Sequence, residues 1–288
     1  MHTFNELFFN FKIVLYKMGI TYYMLQIDPF LLFILILSFG GIFAGLGTFL
    51  FRRYIKVKVL KSHNEVTGFL FTAITSFYAL LLGFVVFVVW GQLNDLQGNV
   101  SQEGSSAFGL YRDIKFYPDT TESKQLMKVY LDFVFDVIDD EFPNMARMQA
   151  SQKTLESFNQ VFYKMERINP KNQFQLQLVT EMFHHLNELA TYRGLRTATV
   201  EMEIPSPIWW PMMLGAIITI VCAMLLDIEN SHIHIGLNAL FGIFIGMFFF
   251  IIIELDHPFT GSLSIQPDSY MQIFNMEEWA NKPSVKNK

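Results

Sequence analysis

The chain has 288 residues, of which 52% are apolar and only 16% are charged, well below the ~25% charged residues of a typical soluble domain. The net charge of −5 gives no electrostatic support for a nucleic-acid partner. The single cysteine, Cys222, excludes a disulfide within the chain. The 31 phenylalanines are too many for a soluble core to hide, which indicates that part of the chain lies in lipid.

The first 28 residues lack the basic start and small-residue cleavage site of a secretory signal peptide. We therefore expect the first membrane helix to act as the targeting signal. Residues 1–28 are interpreted as an N-terminal interfacial segment.

Four stretches contain no Asp, Glu, Lys or Arg, and all are close to the ~20 residues that a membrane-spanning helix needs. They predict an all-α, multi-pass membrane protein with four transmembrane helices and a helical extramembrane domain between the second and third. The stretches are residues 29–51, 66–90, 204–226 and 235–253. The predicted segments after 1–28 are spans one and two (29–92), the helical domain (93–203), spans three and four (204–255), and a C-terminal loop and tail (256–288).

Basic residues concentrate in the loop between the first two spans. By the positive-inside rule this loop is cytoplasmic, which places the N-terminus, the helical domain and the C-terminus outside. Aromatic residues at the predicted outer ends of the spans support the same orientation. The basic residues are Arg52, Arg53, Lys56, Lys58 and Lys61, and the aromatic ones are Tyr22, Tyr23, Trp90, Trp209 and Trp210.

Each span carries small residues four positions apart, which lets helix backbones approach closely in a membrane. Two alternatives follow from this pattern: packing within one four-helix bundle, or packing between subunits. The residues are Gly41 and Gly45, then Gly68, Thr72 and Ser76, then Gly215, Thr219 and Ala223, and finally Gly242 and Gly246.

Apolar residues at three- and four-residue steps continue beyond the second span, which predicts one long helix towards Arg112. Further helices are predicted at residues 122–141, ended by Pro143, and at 151–168 and 172–199. The acidic run 139–141 is interpreted as a hydrated helix end.

Glu103 occupies a position of the apolar stripe on the long helix, and Arg193 and Arg196 lie on the inward face of the returning helix. Because an unpaired buried charge is costly, we expect the carboxylate and an arginine to pair. A stabilising clamp is one interpretation. The alternatives are that the arginines concentrate anions at a pore mouth or ligand site, or that these side chains are simply solvated.

No pattern predicts a metal site, a cofactor or an enzyme. His184 and His185 are adjacent, so on a helix they diverge by about 100°. His232 and His234 have no third ligand beside them, whereas zinc needs three or four that converge. The chain contains no nucleophile, phosphate-binding or dinucleotide-binding motif of the familiar kinds.

Several short blocks occur in a characteristic order. The second span opens with His63, Asn64 and Gly68 and ends at Trp90; Glu103, Arg112, Arg193 and Arg196 follow, and the chain closes with Asp256, Pro258, Phe259 and Gly261. Over about residues 30–270 this order resembles the bacterial bestrophin-like membrane proteins.

True bestrophins are pentameric anion channels with four membrane helices, and their second helix lines the pore. The resemblance therefore implies a homo-oligomer in the bacterial inner membrane that conducts inorganic anions. True bestrophins carry their helical body in the cytoplasm, whereas our charge count places this one in the periplasm. Thr67, Thr75 and Tyr78 would then line the path, with Arg193 and Arg196 near its mouth. One alternative is that the hydroxyls bond their own helix backbone. Another is a non-conducting sensor or scaffold whose helical domain binds a partner.

Overall fold

The structure is a computed structural model that describes residues 23–55, 61–118, 120–201, 204–226 and 228–281. Most of the predicted N-terminal segment lies outside these ranges, as do Lys56 and Lys58 of the basic loop. All regular structure within the described ranges is helical, as the sequence predicts. The main helices are α1 (Pro29–Tyr54), α2 (Lys61–Phe116), α3 (Thr121–Asp136), α4 (Phe142–Met145), α5 (Gln152–Met165), α6 (Gln173–Ala198), α7 (Ser206–Met224), α8 (Ser231–Asp256) and α9 (Asp268–Asn281).

Helices α1, α2, α7 and α8 are long and apolar enough to cross a membrane, which confirms the four predicted spans. The predicted long second helix is also confirmed, because α2 runs for 56 residues without interruption. At 1.5 Å per residue it is about 84 Å long, far more than the ~30 Å hydrocarbon core. Part of α2 must therefore lie outside the hydrocarbon.

The chain divides into two compact units. The membrane unit comprises Met1–Gln92 and Glu203–Leu263 and contains α1, α7, α8 and the first part of α2. The helical unit comprises Leu93–Met202 and Ser264–Lys288. The segment interpreted from sequence as a C-terminal loop and tail is thus split, and its second part forms α9 in the helical unit.

In the membrane unit, α1 and α8 approach closely through glycine. A Cβ on Gly40 would overlap the carbonyl oxygen of Gly242, and one on Gly242 would overlap that of Gly40. A Cβ on Gly41 would lie 2.8 Å from Ile243, and one on Gly246 would lie 3.2 Å from the Ile36 carbonyl oxygen. The small residues of these two spans therefore pack within one subunit.

The second and third spans meet at Tyr78 and Gly215. The Tyr78 hydroxyl donates to the carbonyl oxygen of Met212 at 3.0 Å. A Cβ on Gly215 would lie 2.5 Å from the Tyr78 ring, so the aromatic ring needs glycine at that position. This contact fixes which face of α2 is turned towards α7.

In the helical unit, α3 starts with a capping box between Thr120 and Ser123. Pro143 does not end this helix, contrary to our expectation. The chain instead passes through a π-helical turn, Val137–Glu141, and Pro143 follows it as the second residue of α4.

Helices α5 and α6 lie within a few residues of their predicted positions, capped by Ser151 and Asn172. The core of the helical unit is formed by completely buried apolar side chains from α2, α3, α5, α6 and α9. They are Ala107, Leu110, Leu126, Tyr130, Phe133, Val134, Val161, Met165, Met182, Leu186, Leu189 and Ile273.

Candidate functional site

The helical unit contains a buried cluster of charged side chains centred on Arg196, which α6 carries on its inward face. The Arg196 guanidinium holds both oxygens of Glu103, with Nε 2.6 Å from Oε2 and Nη2 2.8 Å from Oε1. Both side chains are completely buried. Arg193, one turn earlier on α6, is also buried, but its carboxylate partner is Glu141 rather than Glu103.

Glu141 joins the two arginines. Its Oε2 accepts from Arg196 Nη2 at 2.6 Å and from Arg193 Nε at 3.2 Å, and its Oε1 accepts from Arg193 Nη2. The interpretation of this residue as part of a hydrated helix end is wrong, because Glu141 is 1% exposed. Glu141 continues the three- and four-residue spacing of Tyr130, Val134 and Val137 on the buried face. This spacing predicts an inward side chain, but the acidic residues beside Glu141 favoured a solvent-exposed interpretation.

Tyr270 on α9 completes the cluster, and sequence reasoning missed it because nothing local marks a contact 167 residues away. Its hydroxyl donates to Glu103 Oε1 at 2.6 Å. Burial raises the pKa of Tyr270, and the Glu103 carboxylate raises it further, so the phenol keeps the proton that it donates.

The cluster contains two arginines and two glutamates, so its formal charge is zero. Burial by itself lowers the pKa of Arg196, but the carboxylates of Glu103 and Glu141 outweigh it and raise that pKa above its usual value. Aromatic rings cover both cations, with Arg196 4.6 Å from the Phe142 ring centroid and Arg193 5.1 Å from that of Phe158. An arrangement this buried and internally neutral holds helices together, and it offers no free charge to a passing ion.

Of the three residues proposed from sequence to line a path, Tyr78 faces its own subunit, whereas Thr67 and Thr75 are half-buried and bond their own helix backbone. Tyr78 is 6% exposed and packs on α7. The Thr67 hydroxyl donates to the His63 carbonyl oxygen at 2.9 Å, and that of Thr75 to the Phe71 carbonyl oxygen at 2.6 Å. Within the described subunit α7 covers Tyr78, and a path lined by these three residues stays a prediction.

Another face of α2 is open. Gly68, Thr72, Ser76, Ala79 and Gly83 follow one another at steps of three and four residues, and all but the half-buried Gly68 are exposed. A Cβ on Gly68 or Gly83 would meet no described atom within 4 Å. Thr72 and Ser76 bond the carbonyl oxygens of Gly68 and Thr72, so the face is small and weakly polar.

The family-like residues of the closing block build the end of α8. Asp256 accepts from the backbone N–H of Ile204 at 2.6 Å, which ties α8 to the start of the third span. Gly261 has a φ of +81°, and a Cβ there would also lie 2.8 Å from Glu254 Oε2, so the turn requires glycine. Pro258 is half-buried and Phe259 is buried in this turn.

The other family-like residues lie along α2. His63 and Asn64 are in its first turn, Trp90 is 50% exposed, and the Arg112 side chain is 55% exposed, with Nη2 3.6 Å from Asp113. His185 contacts Asp113 at 2.7 Å, whereas His184 points to Glu188. No group of three metal-ligating side chains occurs within the described ranges.

Comparison with known proteins agrees with this architecture. A bestrophin-like domain matches residues 41–270. The chain is similar to a solved structure of a bacterial bestrophin homologue from Klebsiella pneumoniae that carries a tyrosine-to-alanine mutation, with a TM-score of 0.53 and 12% identity over 85% of this chain and 98% of that one. A search of curated proteins gave no match. The family domain covers most of the chain, and the chain therefore belongs to the bestrophin-like family of membrane proteins.

Proposed function

We propose that the protein is an oligomeric ion channel of the bacterial inner membrane, with the open face of α2 from each subunit lining the path. The observation that carries the proposal is that face of small residues and hydroxyls on a spanning helix, which nothing in the described subunit covers. A face of small, weakly polar residues is unusual in contact with lipid, because lipid-exposed positions are normally large and apolar. Membership of the bestrophin-like family, whose true bestrophins conduct through a path lined by the second helix, supports it.

The face next to this one fits contact with lipid or neighbouring subunits. Phe69, Phe77 and Phe87 are each more than 70% exposed and lie beside the small residues around the helix. A ring of α2 helices would place the small residues towards an axis and turn the flanking aromatic residues towards neighbouring subunits or lipid. The proposal therefore requires several subunits.

The family resemblance favours inorganic anions as the conducted ions. Arg193 and Arg196 are not part of the proposed path, because Glu103 and Glu141 already match their charges in a buried cluster. Any preference for anions must then come from other groups, and the reversal potential measures it directly.

The test combines flux from liposomes with cysteine accessibility. In a Cys222→Ser background, cysteines at Thr72, Ser76 and Gly83 should react with a water-soluble thiol reagent and, once modified, reduce flux. The matched control is Leu70→Cys, which is 54% exposed in one subunit but lies about 160° around the helix from Thr72. Equal reactivity of Leu70→Cys and Thr72→Cys, or absence of flux from a reconstituted monomer or dimer, would contradict the proposal.

A non-conducting scaffold or sensor is the second candidate, favoured by exposed aromatic residues on the helical unit. Phe116 is 74% exposed, Phe174 65% and Tyr163 56%. Exposed apolar surface of this kind is typical of protein contacts. A monomeric or dimeric protein without flux would favour this second function.

The orientation is also a proposal, with the loop of Arg52 and Arg53 in the cytoplasm and the helical unit in the periplasm. Cysteines introduced at Asp119 and Asn287, both outside the described residues, should react with an impermeant reagent in intact cells. Protection of both would reverse the orientation without changing the four spans.

A further inference from the structure

Arg52 lies near the end of the first span and is held in one orientation. Its Nη1 donates to the carbonyl oxygen of Ile228 and to Nδ1 of His234, both at 2.8 Å. His234 is itself 1% exposed, and its Nε2 lies 3.0 Å from the Ala223 carbonyl oxygen. A carbonyl only accepts, so Nε2 carries the proton and Nδ1 is free to accept from Arg52.

A second polar contact holds the two spans together one turn further into the membrane. Asn238 donates from Nδ2 to the Thr48 hydroxyl at 2.8 Å, and Thr48 in turn donates to the Ala44 carbonyl oxygen at 2.7 Å. Thr48 and Asn238 are both buried. The backbone beneath Arg52 is therefore fixed by hydrogen bonds between α1 and α8 as well as by the glycine packing.

The charge of Arg52 has no anionic partner among the residues that the structure describes. Both of its acceptors are neutral, and both use the same nitrogen, Nη1. A guanidinium has five N–H donors, so Nε and Nη2 remain available. Arg53 follows directly and is exposed, which places a second positive charge beside the first. Basic side chains at a membrane edge attract anionic headgroups, so the open donors of Arg52 face the region where such groups lie.

We propose that Arg52, together with Arg53, binds an anionic phosphate group where the first span leaves the membrane. A planar guanidinium matches phosphate oxygens bidentately, and here its direction is set before the ligand arrives. The phosphate belongs either to the headgroup of an anionic phospholipid or to a soluble phosphate compound. The proposal does not depend on ion conduction, since it rests on contacts within the membrane unit of one subunit.

A simple snorkelling arginine would differ in structure. Such a side chain reaches the interface with its guanidinium hydrated and without fixed protein acceptors. Arg52 instead makes two hydrogen bonds to a loop carbonyl and a buried histidine, which a side chain acting only through its charge does not need.

The experiment measures binding of phosphatidylglycerol to the purified protein in neutral detergent by native mass spectrometry. Phosphatidylcholine, whose phosphate is balanced by the charge of its choline, is the net-neutral reference. Arg52→Gln should weaken phosphatidylglycerol binding by about fivefold or more, since one arginine near an anionic surface contributes about 1 kcal/mol. Arg112→Gln is the matched control, because it removes an exposed arginine of the helical unit. Competition by pyrophosphate separates the two sources: displacement of the lipid identifies a site that also takes soluble phosphates, and no displacement identifies a lipid site.

Arg53→Gln provides a second reading if Arg52→Gln fails to fold, because the Arg53 side chain is exposed. It should reduce phosphatidylglycerol binding two- to fivefold, by about 0.5–1 kcal/mol of lost surface attraction. The proposal is overturned if phosphatidylglycerol binds no better than phosphatidylcholine and pyrophosphate also shows no binding in the same measurement. It is equally overturned if the folded variants at positions 52 and 53 lose no more binding than Arg112→Gln.

Discussion

Arg196 and Glu103 form a bidentate ion pair with no solvent contact, joining α6 to α2 across 93 residues of sequence. Because each charge is buried, loss of one partner leaves the other without compensation. We expect Glu103→Ala to reduce the free energy of unfolding by about 3–5 kcal/mol. The measurement is thermal or denaturant unfolding in detergent, with the exposed Glu181→Ala as control.

A double-mutant cycle then tests the pairing itself. Arg196→Met in the Glu103→Ala background should recover part of the lost stability, because the second change removes the stranded cation. Strictly additive losses would show that the two side chains do not stabilise the protein as a pair.

Removal of the Tyr270 hydroxyl tests the docking of α9. Tyr270→Phe keeps the buried ring but takes one donor from the Glu103 carboxylate, so it should cost about 1–3 kcal/mol. Tyr163→Phe is the matched control, because Tyr163 is 56% exposed. Equal stability of the two variants would mean that this hydrogen bond contributes nothing measurable.

The close approach of α1 and α8 predicts an unequal response to the same substitution. Gly40→Ala should destabilise by about 1–3 kcal/mol, since the new methyl group meets the Gly242 backbone. Gly68→Ala should be nearly neutral or slightly stabilising, because its Cβ meets no described atom within 4 Å. Melting temperatures in detergent compare the two. Similar losses at both positions would contradict the packing of these spans within one subunit.

Bulk on the open face of α2 should affect flux without affecting the subunit fold. Gly83→Phe is expected to reduce liposome flux severalfold while leaving the melting temperature unchanged, since its side chain points into open space in one subunit. Gly91→Phe makes the same change about 80° further around the helix, also in open space, and should reduce flux less. If both variants conduct like the wild type, the path does not follow this face.

His257 predicts a pH dependence of stability. Burial lowers the pKa of His257 to about 4 from the usual value of 6.5. Between these two pH values the unfolded state binds a proton at His257 and the folded state does not. Neutral His257 therefore contributes up to about 3 kcal/mol to the free energy of unfolding. This contribution is fully present above about pH 6.5 and is lost as the pH falls towards 4. Melting temperatures between about pH 4.5 and 7.5 should fall less steeply for His257→Gln than for the wild type. His184→Gln, which removes an exposed ring, should leave the slope unchanged.

The sequence predicts the elements of this fold well and their contacts only in part. Charge-free length identifies the spans, and apolar spacing identifies the uninterrupted α2 and the helices that follow Ser151 and Asn172. Periodicity also places Glu103 and Arg196 on inward faces, because a helix face is a local property.

Local spacing cannot decide which neighbour a face meets. Thr67, Thr75 and Tyr78 share a polar face, but only the tertiary structure shows that α7 covers Tyr78. The partner of Arg193 was missed for a related reason: Glu141 has the spacing of a buried residue, yet its acidic neighbours suggest water. Tyr270 carries no local signal, since its role depends on the return of the chain after α8.

The charged cluster also restricts how the helical unit can move. Arg196 pairs with Glu103 and Glu141, and Arg193 pairs with Glu141. All of these ion pairs form together in only one register of α6 along its axis. A slide of α6 by one turn, about 5.4 Å, would separate at least one buried arginine from its carboxylate. Shear, in which packed helices slide past one another, is a common way for proteins to change shape. The buried ion pairs therefore oppose shear of α6 against its neighbours. A motion that keeps these ion pairs must move α6 together with the segments that carry Glu103 and Glu141.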